Sequence, residues 1–158
     1  MSEEMCGGLA DALDMMFDMR LDEHSSDAGA FEAASFGVFV ALKCEEPYGV
    51  FLVCPSSLAS AAAGAALGLC PDETSAYDRL DAAREIANVI AGRLQGACFS
   101  HTELCLPQMT SVNEIIALAD KGAVLAEHVA TYKGAKALVV VSKMQNFGLA
   151  EPFEGQAS

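Results

Sequence analysis

The chain has 158 residues, enough for one domain with a sizeable core. Hydrophobic residues make up 53% and charged residues 20%, with a mean hydropathy of +0.30, which excludes a largely disordered chain. A net charge of -13 argues against a nucleic-acid backbone or an anionic membrane surface as partner, since both need Lys and Arg to displace counterions. Proteins and small molecules remain.

The opening residues, MSEEMC, are acidic and carry no apolar signal core, so export is not indicated and a cytoplasmic protein is expected. Residues 3–21 read as a helix, because Leu9, Leu13, Met16, Phe17 and Arg20 recur at helical spacing between Asp11, Asp14 and Asp18. EHSSDAGA then breaks the pattern. FEAASFGVFVALKC and the run after PYG are rich in β-formers, so 33–44 and 49–54 are expected to pair as antiparallel strands. LASAAAGAALGLC is too short to cross a bilayer, which needs about 20 residues. It reads as a buried Ala-rich helix over 58–69, capped by Ser56 or Ser57 and ended by Pro71 and Asp72. A second helix is expected over 74–95, with Gly96 placed to stop it. Three further strands are expected from HTELCLPQMT, GAVLAEHVATYKG and AKALVVVSKM. Residues 1–148 would form one domain and 149–158 a frayed tail. The fold class is α/β in the α+β sense, with helices packed on an antiparallel-dominated sheet.

The six cysteines, Cys6, Cys44, Cys54, Cys70, Cys98 and Cys105, sit mostly among apolar residues, as in FLVC and LGLC. They read as reduced thiols serving as small core hydrophobes. CFSHTELC holds Cys98, His101, Glu103 and Cys105, but has neither CxxC nor four ligands at zinc spacing, so no metal site is expected. The same stretch gives no third group to orient a Cys–His pair for nucleophilic attack. His24 and His128 stand alone in the sequence, and no Gly-rich loop has the phosphate-cradling form.

The most informative stretch is DRLDAAREIANVIAGRLQG. At roughly 100° per residue, Asp81, Glu85 and Asn88 fall within a sector of about 60°, and Gly92 and Gln95 continue the line. Leu80, Ala83, Ile86, Ala87, Ile90 and Leu94 occupy the opposite arc and must face the core. An ordinary solvated face explains most such stripes. Two details depart from it. Asp81 and Glu85 are like charges at i,i+4, which costs a few tenths of a kcal/mol. Gly92 costs up to about 1 kcal/mol relative to Ala and leaves the surface low. A low face with a few fixed polar groups suits close approach by another protein.

DAAREIANVIAGRLQ resembles the signature helix of the CheC, CheX and FliY family of chemotaxis phosphatases. That family's motif runs Asp or Ser, three residues, Glu, two residues, Asn, and Asp81, Glu85 and Asn88 match it in type and spacing. The order of elements is similar to CheX over nearly the whole chain. Two departures are visible. Pro107 follows Asn88 sooner than the family's Pro does, so the intervening loop looks trimmed. The first helix has Glu4 but Gly7 where a second motif would need Asn, and Asn113 in SVNEII offers none, so the chain resembles the single-motif CheX rather than CheC.

The resemblance implies a substrate, the phospho-aspartate of a response-regulator receiver domain of the CheY kind. It implies that Asn88 orients the attacking water and that Glu85 contacts the receiver's active-site Lys, with Asp81, Gly92 and Gln95 meeting the partner. It implies no cofactor of the chain's own, with Mg²⁺ held by the receiver. The rival expectation is a CheX-like module that binds or forms a homodimer through a sheet edge without catalysing anything.

Overall fold

The computed structural model describes residues 31–121 and 124–147. The expected first helix, Glu4 and Gly7, His24, Cys6 and the expected C-terminal tail lie outside the described residues. The architecture is a six-stranded sheet with helices on both faces. In chain order the strands are β1 (Phe36–Lys43), β2 (Tyr48–Cys54), β3 (Glu103–Leu104), β4 (Gln108–Thr110), β5 (Ala126–Tyr132) and β6 (Ala135–Lys143). The helices are α1 (Ser56–Leu67), α2 (Ala76–Cys98) and α3 (Val112–Asp120), with 3-10 turns at Pro71–Glu73 and Met144–Phe147.

The strands lie in the order β3-β1-β2-β6-β5, with β4 also on β1. All pairings are antiparallel. The central strands are apolar almost throughout because both their faces are covered. Val38, Val40, Leu42, Val50, Leu52, Val139 and Val141 point to α1 and α2. Phe39, Phe51, Val53, Leu138 and Val140 point to the other side, where Ile115 and Leu118 of α3 cover them. Phe39 and Phe51 are cross-strand partners with ring centroids 5.7 Å apart. The β5–β6 hairpin turns at Lys133 and Gly134, both at positive φ (49° and 84°), as a tight two-residue turn requires.

The expected hairpin of 33–44 with 49–54 forms as β1 and β2. Other expectations need correction. HTELCLPQMT is not one strand: Leu106 and Pro107 divide it into β3 and β4, which bond to opposite ends of β1's outer edge. Proline has no N–H for the ladder, so the break falls there. The helix α3 is not among the expected elements, although Ile115 and Leu118 have helical spacing. The second long helix runs to Cys98 through Gly96, whose position meets open space, and Phe99 caps it. The Ala-rich helix ends at Gly68 rather than at Pro71, and its last three residues, 65–67, are exposed, so only Leu58, Ala59, Ala62, Ala63 and Gly64 are buried.

No Ser caps α1 from within. Pro55 stands at its N-cap without a side-chain hydrogen bond. The cap comes instead from Glu32, whose carboxylate accepts from the Ser57 N–H at 3.3 Å and from the Ser57 hydroxyl. At the other end Gly68 takes the left-handed conformation at φ 69°, and Leu69 N–H bonds back to Gly64 carbonyl at 2.9 Å. The connector therefore folds flat against the helix at Gly64, where an added Cβ would sit 2.7 Å from the Leu69 carbonyl oxygen.

Among the described residues the cysteines are free thiols but mostly not core residues. All five described ones are free thiols, yet only Cys54 is buried, while Cys70 and Cys98 are exposed. Cys54 ends a strand covered on both faces, and burial pushes its thiol up to about 12. Cys70 follows the Gly68 reversal, which carries LGLC away from the core.

Gly64→Ala should lower stability by roughly 1–2 kcal/mol, the clash outweighing the gain of up to about 1 kcal/mol in helix propensity. Urea denaturation checks this. A variant as stable as the parent would mean that the connector moves freely.

Candidate functional site

The helix α2 carries the stripe, and its inner face fixes which side the stripe shows. Ala82, Ala83, Ile86, Ala87, Ile90, Ala91 and Leu94 are buried. Leu80, expected on this arc, is only half-buried. Ile86, Ile90 and Leu94 have no exposed surface, and each contributes roughly 2 kcal/mol by burial. Rotation of the helix by one residue would forfeit much of this.

Both ends are tied down. At the start, Ser75 and Asp78 form a reciprocal capping box, the Asp78 N–H donating to Ser75 Oγ and the Ser75 N–H to Asp78 Oδ2, each at 3.0 Å. The preceding turn holds a second box, with Cys70 N–H donating to Glu73 Oε1 at 3.0 Å. The Arg79 Nη1 donates to the Thr74 carbonyl at 3.0 Å. At the far end, Gln95 Nε2 donates to the Thr102 carbonyl at 2.8 Å, and the Thr102 hydroxyl donates to the Phe99 carbonyl at 2.6 Å. Phe99 is buried and lies against Tyr48, ring centroids 4.7 Å apart.

Between these ends the stripe faces outward. Asp81 and Glu85 are exposed, and Asn88 and Gly92 are half-buried. The four occupy successive turns of one rigid helix. Among the described residues, Glu85 and Asn88 make no hydrogen bond or ion pair within the chain, so their polar atoms remain available. An ideal Cβ on Gly92 would meet nothing within 4 Å. Gln95 differs from the rest of the line, because its amide is engaged in closing the loop after the helix.

Two residues beside the motif were not picked out from the sequence. Tyr77 lies one turn before Asp81 on the same line and is 69% exposed. Arg84 lies one turn before Asn88 and is half-buried. Extending the helical phase from Asp81 one turn toward the N-terminus would have found Tyr77; the depth of Arg84 has no signal in sequence.

The other candidates do not assemble. Cys98, His101 and Glu103 are exposed, burial and Glu103 raise the Cys105 thiol pKa, and no metal-binding cluster of His, Cys, Asp or Glu occurs among the described residues. His128 is half-buried on β5, and burial lowers its pKa. Two open clefts, of about 510 and 470 Å³, are lined by residues other than those of α2. No helix among the described residues is long and apolar enough to cross a membrane.

A family model described as chemotaxis phosphatase CheX matches residues 37–127, more than half of the chain and all of α2. The chain belongs to the CheX family. No curated protein sequence matches it, whereas solved CheX structures share its fold. The CheX protein of Vibrio vulnificus is 14% identical with a TM-score of 0.62, covering 89% of this chain and 93% of that one. That of Desulfovibrio desulfuricans is 12% identical with a TM-score of 0.62, covering 90% and 97%. A CheX–CheY complex of Borrelia burgdorferi with BeF3 and Mg²⁺ gives 14% identity and a TM-score of 0.60, covering 89% and 95%. This CheX-family chain has the family's α+β fold, and Asp81, Glu85 and Asn88 all lie within the matched segment.

The capping box makes the start of α2 sensitive to acid. Hydrogen bonds from the Ser75 backbone and side chain hold the Asp78 carboxyl below the usual carboxylate range. A depressed folded pKa means stability that is present above the unfolded pKa and lost as pH falls through the folded one. Denaturation midpoints of the parent should therefore drop below about pH 4 more steeply than those of Asp78→Asn. Parallel curves would show that the box contributes nothing.

Proposed function

We propose that the chain is a phosphatase acting on the phospho-aspartate of a CheY-like receiver domain in chemotaxis or another two-component pathway. The observation that carries this is Asn88: an amide without a partner among the described residues, half-sunk in a helix pinned at both ends, one turn from an exposed carboxylate. Membership of the CheX family supports it, as does the solved association of a CheX relative with CheY, BeF3 and Mg²⁺.

The chemistry asks little of the protein. An acyl phosphate is already reactive, and hydrolysis needs a water held in line with phosphorus and charge stabilisation around it. The water oxygen forms a bond to phosphorus, the bond from phosphorus to the aspartyl oxygen breaks, and the products are the aspartate carboxylate and inorganic phosphate. The amide of Asn88 accepts a hydrogen bond from the water through Oδ1 and donates through Nδ2 without changing charge. Glu85 pairs with the receiver's active-site Lys and sets the approach. Asp81 and Gly92 meet the receiver surface. Gln95 meets it only through what its loop bond leaves free. Mg²⁺ is the receiver's.

The decay of a phosphorylated receiver from the same organism tests the reading. Asn88→Ala should remove the acceleration, by roughly a hundredfold or more, with an unchanged melting temperature. Unaltered decay with this variant would refute the water-orienting role. Glu85→Gln should chiefly raise the KM for the receiver, by roughly tenfold; tight binding in that variant would exclude the Lys contact.

Gly92→Ala separates stability from function. Its added methyl meets nothing within 4 Å among the described residues, so the variant should be up to about 1 kcal/mol more stable. A receiver seated on this face would meet that methyl, so KM should rise at the same time. Greater stability with an unchanged KM would place the docking surface elsewhere.

A further inference from the structure

The helix α2 carries two arginines whose Nε atoms are buried without a hydrogen-bond partner. They are not equivalent. Arg79 uses Nη1 on the Thr74 carbonyl, 3.0 Å away, and so serves the α1–α2 connector. Arg84 has no such bond. Among the described residues its guanidinium makes neither a hydrogen bond nor an ion pair, even though Asp81 lies at i−3 on the same helix.

A guanidinium carries five donors and cannot lose its charge. Half-burying one with an unsatisfied Nε costs stability, and nothing in the described chain offsets that cost. The position of the residue gives the reason. Arg84 and Asn88 stand at i and i+4, so their Cβ atoms are about 6 Å apart on one side of the helix. The long side chain keeps its stem against the helix and can carry its head to the edge of the stripe. A group held in line with the Asn88 amide therefore comes within reach of the Arg84 fork.

We propose that Arg84 binds the anionic phosphoryl group of the aspartyl phosphate while Asn88 holds the water. The proposal rests on the phosphatase reading above and adds to it a cation that recognises the substrate's charged state. Guanidinium and phosphoryl oxygens match in geometry, two N–H donors facing two oxygens, and such charge-assisted pairs are among the stronger hydrogen bonds. The surroundings make a local cation valuable. The chain has a net charge of -13, and Asp81 and Glu85 share the stripe, so an incoming phosphoryl group otherwise meets only repulsion.

The test compares binding of a receiver in two states, unmodified and loaded with beryllofluoride and Mg²⁺. It uses the full chain, Arg84→Met, which keeps the apolar stem, and Arg84→Lys, which keeps the charge but not the fork. Arg84→Met should bind the loaded receiver roughly tenfold more weakly and the unmodified one within about twofold of the parent. Arg84→Lys should fall between. Neither variant should melt below the parent, because the head group has no partner among the described residues; a purely structural arginine would show the reverse pattern. Equal weakening in both states would assign Arg84 to the receiver's carboxylates and overturn the proposal, as would unchanged binding. If the parent binds the loaded receiver preferentially but does not speed dephosphorylation, the phosphatase reading fails, and the binding ratio still decides Arg84. If the parent binds no phosphorylated receiver of its organism, both are overturned.

Discussion

Everything proposed for this protein depends on the rotational setting of one helix. The phase of α2 is fixed by Ile86, Ile90 and Leu94, buried against the sheet on the side opposite Asp81, Glu85 and Asn88. A helix advances about 100° per residue, so apolar contacts made every three or four residues leave no freedom to choose what the outer face displays. Packing thus determines chemistry at a distance of one helix diameter. The hydrogen bonds at the two ends oppose fraying at Ser75 and splaying at Gln95. A site on such an element is positioned before any partner arrives, which is where the catalytic advantage of orientation lies.

Charge sets a second constraint, and it opposes the first function one would assign. A chain of net charge -13 repels an acidic, phosphorylated partner at long range, so encounter is slowed rather than steered. At contact the balance differs, because the Debye length of about 8 Å screens distant charges while groups in the interface act unscreened. Recognition of a receiver on the proposed face would then depend on a few side chains. Glu85 and Arg84 offer opposite charges on adjacent residues, and a receiver site containing both a Lys and a phosphoryl group can answer both.

How much of this could be read from the sequence follows from which interactions are local. The β1–β2 hairpin was legible because its β-branched and aromatic runs are bounded by a Pro-containing turn, all within one stretch of chain. The stripe was legible because helical phase is a local property, and it placed Asp81, Glu85, Asn88 and Gly92 on one outward line as the structure has them. The end of α1 is not legible because it depends on the left-handed turn at Gly68 and on the close approach of Gly64 to the Leu69 carbonyl, which no periodicity reveals. The N-cap of α1 was misassigned to a serine because its actual cap, Glu32, comes from far back in the chain. The short helix α3 is not legible because nine residues hold as a helix only when Ile115 and Leu118 pack on Phe39, Phe51 and Val53 of the sheet. Arg84 is not legible for the same reason: burial of its Nε is a tertiary fact.

The distribution of these constraints also accounts for a fold kept at 12% to 14% identity to the solved CheX structures. A sheet covered on both faces accepts any set of apolar residues of suitable volume, so its strands can change almost completely while the layers remain. Hydrolysis of an acyl phosphate is undemanding in chemical groups and demanding in geometry. One amide, one carboxylate and a helix that cannot turn would meet it. The information needed for the proposed function therefore occupies few positions and is protected by many interchangeable ones. The positions with less freedom are those where backbone meets backbone, Gly64 against Leu69 and Gly37 against Thr110, because an added Cβ there would force the backbone to shift. These contacts hold the connector into α2 and the outer edge of β1. The geometry of the site thus rests in part on glycines that never face it.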